Sequence, residues 1–392
     1  MMSKSRRIKY IASFDIDANK AENRVNMLSS ANKINYIITV LNQLGYGVDV
    51  ISFSRTLNKK CYAGKRILWG TDNSIKLFPT TWNGGVLLKI LNHIILNTSL
   101  FFYILTNVRR KDTVIMYHSY GILWLNVLFM LKGVHLIEEC EEIYGDIFGK
   151  KWMSALEHKL LTKADSYIYP TELLNSIVNV KNKPYLVVHG SYKDVGSQFF
   201  SDCKEEPVYF DPNLYHVAYT GILDPRKGCI DVVKSAEFLD ETYHIHILGF
   251  GSAGEIDLIN QTIRELVSKT KCKVTFDGLR KGQEYTNYLS YLNLGVCTLD
   301  TDQHFINTQF PSKIISYMAA GVPVLCSEAK AIKTCDVSSA ITFYKGNSPK
   351  DIAEGIKKAR ENDVINTRQL LDDCDLKFKT KLNRLINYDD KV

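Results

Sequence analysis

Through the first half of the chain, short apolar runs alternate with stretches of helical spacing. Ile8 to Ser13, Val48 to Phe53, Thr113 to Tyr117, Val134 to Ile137 and Ser166 to Tyr169 are rich in β-branched and aromatic residues and predict buried strands. Met27 to Leu44 carries its apolar residues at helical spacing and stops at Gly45, which predicts a helix ended by a left-handed glycine. Strands alternating with helices predict a parallel, doubly wound sheet with helices on both faces. A second series of the same kind starts near Tyr215 and runs to about Gly346. Residues 191–214 between them are polar and weakly periodic, as an interdomain linker is. The resulting plan is an α/β domain over residues 1–190, a linker over 191–214, a second α/β domain over 215–370 and a closing helix over 371–392.

The second series carries the chemistry. In Phe310 to Leu325, FPSKIISYMAAGVPVL, the segment Phe310-Pro311-Ser312 starts a helix, and Lys313 adds a cation beside its positive end. Ile314, Tyr317 and Met318 form the apolar side, small residues Ala319, Ala320 and Gly321 permit close packing, and Val322 to Leu325 is a buried strand. Upstream, the strand His216 to Tyr219 runs into TGILDPRKG, where Gly221 lets a ligand approach the backbone and Arg226 and Lys227 supply two cations. HIHILGFG (His244 to Gly251) and KVTFDGLRKG (Lys273 to Gly282) are again strands closing on glycines. Glycine-bearing loops at the carboxyl ends of successive parallel strands are where open α/β sheets bind nucleotides.

The ordered set YTGILDPRKG, ILGFG, VTFDGL and FPSKIISYMAAGVPVL resembles the donor half of a GT-B glycosyltransferase, most like glycosyltransferase family 4. That resemblance implies two Rossmann-like domains facing a cleft, the first binding an acceptor and the second a UDP- or GDP-sugar. It implies a retaining, metal-independent transfer to a saccharide acceptor, lipid-linked, in cell-surface polysaccharide or glycoconjugate synthesis. It assigns Lys227 to the leaving diphosphate, with Arg226 standing in for a family arginine whose position here is Ile222. Pro311, Ser312 and Lys313 face the same diphosphate, Gly221 admits the donor, and Gly249, Gly251, Gly278 and Leu279 line the base pocket. His118, after the strand TVIMY, resembles the family histidine that contacts the donor sugar. Two glutamates that many members carry are absent, and their positions are Thr308 and Ser316; Ser316 is the expected ribose ligand. A nucleotide-sugar epimerase of the same architecture and a catalytically silent binding partner remain open alternatives.

In the first half, EECEEIYGD (Glu138 to Asp146) concentrates acids near a strand end, and Glu141 and Glu142 are candidate acceptor-side bases. Nine cysteines scattered without CxxC pairs or neighbouring histidines argue against a zinc site or a disulfide framework, so neither metal nor cofactor is expected. The formal charge of +7 is uneven: residues 1–190 hold 24 Lys and Arg against 14 Asp and Glu, the remainder 25 against 28. No nucleic-acid motif accompanies the basic half. Two apolar stretches do, Val86 to Val108, followed by Arg109, Arg110 and Lys111, and Ile122 to Ile137. They read either as core helices or as surface helices lying on an anionic membrane. The basic N-terminus runs into a first strand rather than a signal peptide, and the expected location is cytoplasmic, peripheral at the inner face of the membrane.

Overall fold

The computed structural model describes residues 6–193, 210–299, 308–362 and 365–388. They form two compact units, residues 1–190 with 376–392, and residues 191–375. Residues 194–209 of the expected linker lie outside the described residues.

The first unit is built on an eight-stranded sheet of β1 (Arg7–Ala12), β2 (Gly47–Ser52), β3 (Lys65–Trp69), β4 (Asn73–Leu77), β5 (Thr113–Tyr117), β6 (His135–Glu139), β7 (Ser166–Tyr169) and β8 (Tyr185–Val187). Their spatial order is β3-β4-β2-β1-β5-β6-β7-β8, parallel except for the antiparallel β3–β4 pair. The sequence pattern missed β3, β4 and β8. In β3, Lys65, Arg66 and Leu68 are exposed, so this edge strand lacks the buried pattern of the others, and its charges protect the open edge. The order reverses on either side of β1, which places the crevice beyond the carboxyl ends of β1, β2 and β5.

Helix α1 (Leu28–Gln43) packs on this sheet as the pattern required. Helix α2 (Val86–Asn107) is apolar on more than one face. Asn92, Leu96, Leu100 and Ile104, four residues apart, are buried, and the three apolar ones join the sheet core. Leu87, Ile90, Leu91, Ile94, Phe102 and Leu105 are exposed. Of the two apolar stretches, the first is therefore neither a wholly buried helix nor a wholly surface one. By length and composition α2 also suffices to cross a membrane, although its inner stripe is committed to the protein core. The second stretch divides into α3 (Leu125–Lys132) and strand β6.

The second unit has six parallel strands, β9 (Tyr215–Ile222), β10 (Tyr243–Phe250), β11 (Lys273–Gly278), β12 (Leu294–Cys297), β13 (Val324–Ser327) and β14 (Ile341–Tyr344), in the order β11-β10-β9-β12-β13-β14. β13 starts two residues later than the apolar run predicts, because Gly321 at φ +85° makes the turn and Val322 and Pro323 lead in. The last helix, Thr367–Ile386, belongs to both units. Thr367 and Arg368 bond to the carbonyls of Met318 and Ala320 in the second, while Phe378 packs on Tyr36 and Asn383 accepts from Tyr46 in the first.

Two adjacent carboxyls are buried at the end of β6. Tyr10 donates to Glu139, and Asn126 donates to Glu138 at 3.0 Å. Burial, opposed by His118 and Asn126, pushes Glu138 up to about 7. A carboxyl raised in the folded state leaves stability untouched at acid pH and weakens the fold as pH climbs through 7. Glu138→Gln should therefore raise stability at pH 8 by up to about 3 kcal/mol and change it little near pH 4.5, measured by denaturant unfolding.

Candidate functional site

The carboxyl ends of β11, β10 and β9 lie side by side and bring the predicted glycine loops together. Gly249 of β10 is in register with Gly221 of β9. Both have positive φ, and a Cβ on Gly249 would stand 1.8 Å from the Gly221 carbonyl oxygen. Gly251 has a different reason to be small: a Cβ there would meet Glu255 at 2.9 Å, and Glu255 with Ser252 forms the capping box of the helix Ala253–Leu266. Gly278, at φ +74°, faces open space, with Leu279 half-exposed beyond it.

From the other side comes the helix Ser312–Ala319, which starts after Pro311 with no side-chain cap closing its amino end. The expected hydroxyl cap is not made; Ser312 is the first helical residue and is exposed. Tyr317, expected only as an apolar contact, fixes this helix to β9: its hydroxyl accepts from the Thr220 N–H at 2.9 Å and donates to the Ala218 carbonyl at 3.1 Å. Gly295 of β12 makes room, since a Cβ there would lie 2.3 Å from the Tyr317 ring.

That anchoring sets the position of Lys313. Its ammonium lies 3.8 Å from the centre of the Tyr219 ring, and a Cβ on Gly221 would be 3.5 Å from it. Among the described residues no carboxylate pairs with it. Burial pulls its pKa below the ordinary lysine range, and the charge of Lys227 adds to the effect. A half-buried cation held by an aromatic face beside an open helix amino end has the charge and donors that attract an anion.

Lys227 is exposed on the loop after β9, and its backbone is fixed by Thr298, which donates to its carbonyl at 2.5 Å. Arg226 is turned back on its own loop: its guanidinium pairs with Asp224 at 2.6 Å, whereas Lys227 pairs with no carboxylate among the described residues. Ser316 donates weakly to the Ser312 carbonyl at 3.3 Å and lies beside the Tyr285 hydroxyl, itself 3.0 Å from Thr220 Oγ1. Thr308 is half-buried and Ile222 exposed.

In the first unit His118 lies buried among polar partners. The side chain is 1% exposed, with Nε2 3.0 Å from Glu157 and Nδ1 3.6 Å from the Cys140 sulfur. Burial disfavours its protonation, but Cys140 and Glu157 outweigh that and hold it above the ordinary histidine range. Enclosed in this way, the ring has no open side for a sugar. Glu157, which also accepts the Tyr144 and Gly145 N–H groups, had no signal in the sequence because it is an isolated acid in a helix, Lys151–Leu161. Glu141 is committed to an ion pair with Lys33, while Glu142 is half-buried.

A histidine group also escaped the sequence reading. One ring nitrogen from each of His216, His244 and His246 lies within 4.8 Å of the others. His216 and His246 bond directly at 2.9 Å, and the outer nitrogens reach the Asp211 carbonyl, Thr275 and Asp277. Burial drives His244 down to about 3, aided by His246 and Lys273. The three come from strand positions paired across β9 and β10, a proximity created by register.

Residues 215–362 match the family model described as glycosyl transferases group 1. The whole chain has the GT-B fold, and its second unit resembles the group 1 glycosyl transferases. Among solved structures, the chain is similar to the sucrose-phosphate synthase of Thermosynechococcus elongatus, at 14% identity and a TM-score of 0.69 over 98% of this chain and 100% of that one. It is also similar to an α,α-trehalose-phosphate synthase (UDP-forming) from Burkholderia vietnamiensis, at 8% identity and TM-score 0.68 over 99% of both chains. The enzyme of that kind from Burkholderia xenovorans, in complex with glucose-6-phosphate, matches at 8% identity and TM-score 0.63 over 98% of both. At these identities the likeness is one of fold. A search of curated proteins found no sequence match.

Two of the loop glycines, Gly249 and Gly278, differ in their tolerance of a side chain. Gly249→Ala combines positive φ with a backbone clash and should cost at least about 3 kcal/mol, whereas Gly278→Ala meets only the left-handed penalty of about 1–2 kcal/mol. Denaturant unfolding of the two variants side by side tests this, and equal losses would show that the Gly221–Gly249 contact is not rigid.

Proposed function

We propose that this glycosyltransferase moves a sugar from a nucleoside diphosphate donor to a saccharide acceptor that is lipid-linked, at the cytoplasmic membrane face. The observation that carries this is Lys313, a half-buried ammonium beside the Gly221 backbone with which no carboxylate pairs among the described residues. As the bond from the sugar's anomeric carbon to the distal phosphate breaks, charge grows on the diphosphate. Lys313, Lys227 and the open amino end at Ser312 are placed to stabilise it, and that is electrostatic work which needs no metal. The loops at Gly249, Gly251, Gly278 and Leu279 receive the base, and the Ser316 and Tyr285 hydroxyls receive the ribose. UDP is favoured over GDP because the trehalose-phosphate synthases that share the fold are UDP-forming. In the acceptor unit Glu141, ion-paired with Lys33, and Glu142 are the candidate bases.

Lys313→Met keeps the packing on Tyr219 but removes the charge. It should lower turnover about a hundredfold to a thousandfold while leaving thermal stability unchanged or raised, because an unpaired cation leaves a partly apolar site. Lys227→Ala should show a large loss of the same kind, and Arg226→Ala a smaller one, given its tie to Asp224. Wild-type turnover by Lys313→Met would refute the donor site. The same assay, run with UDP-sugars and read for transferred sugar, for free epimerised sugar and for neither, separates transfer from epimerisation and from a silent binder.

The exposed stripe of α2 supports membrane attachment: it is apolar, and Arg109, Arg110 and Lys111 just beyond its end are exposed. The protein should sediment with anionic vesicles at low salt, less so as the screening length falls to about 8 Å at physiological ionic strength. Ile90→Ser with Ile94→Ser should release it, and retention by that variant would move the attachment elsewhere.

A further inference from the structure

The first unit contains a pocket of about 270 Å³ lined by Ser13, Val25, Phe53, Arg55, Lys89, His93, Leu96, Asn97, Ser119, Gly121 and Ile122. Ser13, Phe53 and Ser119 follow the carboxyl ends of β1, β2 and β5, so the pocket occupies the crevice where the strand order reverses. Its other wall is α2, where Lys89, His93 and Asn97 stand four residues apart on one face. Gly121 lets that face approach, since a Cβ there would lie 3.0 Å from the His93 ring.

All the ionisable groups lining the pocket are basic. Elsewhere in the unit, the buried cations Arg24 and Lys33 are paired with Glu22 and Glu141, and half-buried Arg7 with Asp49. Arg55 has none among the described residues; its guanidinium donates only to the Asn83 side-chain oxygen at 3.2 Å, which orients the fork. Lys89 and His93 are exposed at the mouth of the pocket, and no carboxylate pairs with Lys89 among the described residues. Two unneutralised cations, an imidazole and the hydroxyls of Ser13 and Ser119 converge on one small volume. A guanidinium and an ammonium in that arrangement match the oxygens of a phosphate, the guanidinium with two parallel bonds. The volume is just below the usual range of about 300–1,000 Å³ for small-molecule sites, which suits one charged group with at most one ring.

The geometry points to this pocket as a phosphate subsite of the acceptor, so that the acceptor carries a phosphoryl group held by Arg55 and Lys89, with His93 beside it. This rests on the glycosyltransferase reading for the word acceptor, but the anion site stands on its own geometry. The phosphate has two sources, a soluble sugar phosphate or the headgroup of a lipid. Continuity of Lys89 with the open apolar face of α2 permits the second, because Leu87, Ile90 and Leu91 are its exposed neighbours.

The test is calorimetric titration of the full-length protein with glucose 6-phosphate and with dodecyl phosphate, against glucose and dodecyl maltoside as uncharged controls. Arg55→Gln with Lys89→Gln is the variant, its melting temperature checked against wild type, and Lys89→Arg is the conservative rescue. Wild type should bind at least one phosphate compound and neither control, with about tenfold or greater weakening in the double variant and recovery in Lys89→Arg. Binding of glucose 6-phosphate assigns the soluble source, and binding of dodecyl phosphate alone assigns the lipid one. Equal binding by wild type and the double variant, no binding of either phosphate compound, or equal displacement by sulfate at matched ionic strength would overturn the proposal. UDP is titrated separately with Lys313→Met as its control. Failure there removes the donor reading and leaves the anion pocket standing.

Discussion

Much of the second unit is organised around one lysine, Lys313. It sits half-buried against the face of Tyr219, and no carboxylate pairs with it among the described residues, so its field is left for a ligand. Everything that places it is rigid: the Tyr317 hydroxyl bridges the helix to two backbone groups of β9, Gly295 accommodates the Tyr317 ring, and Gly221 leaves the ammonium room beside the backbone. A carboxylate in this position would neutralise the lysine and abolish its use. An unpaired cation carries an energetic penalty that the folded unit must absorb elsewhere in its core.

The same logic separates the cations along the chain. Arg226 and Lys227 are neighbours on one loop, yet Asp224 claims the arginine and leaves the lysine. In the first unit Lys33 is claimed by Glu141, whereas Arg55 and Lys89 are left open around a pocket. Residue type alone does not distinguish these cases. Local loop geometry does, because a carboxylate two residues away, as Asp224 is, reaches Arg226 through both backbone and side chain.

The buried polar cluster at the end of β6 shows how far a motif-level reading can mislead. EECEEIYGD advertises acids for catalysis, but the strand turns Glu138 and Glu139 inward and commits Glu141 to Lys33. His118, read as a sugar contact from its place after a strand, is enclosed by Cys140 and Glu157. Neither outcome was legible, since the burying partners come from elements far along the chain.

The sequence by itself determined the strand-helix alternation, the two-domain plan and the glycine-ended loops, because these depend on local periodicity and on residues whose backbone freedom is intrinsic. It also marked Lys313 and Lys227 as cations beside a helix start. Only the tertiary structure decided which charges remain unpaired, which acids are buried, and that His216, His244 and His246 meet. Those facts depend on strand register and on contacts between residues tens of positions apart, where a one-residue shift in a strand or one carboxylate in reach reverses the outcome.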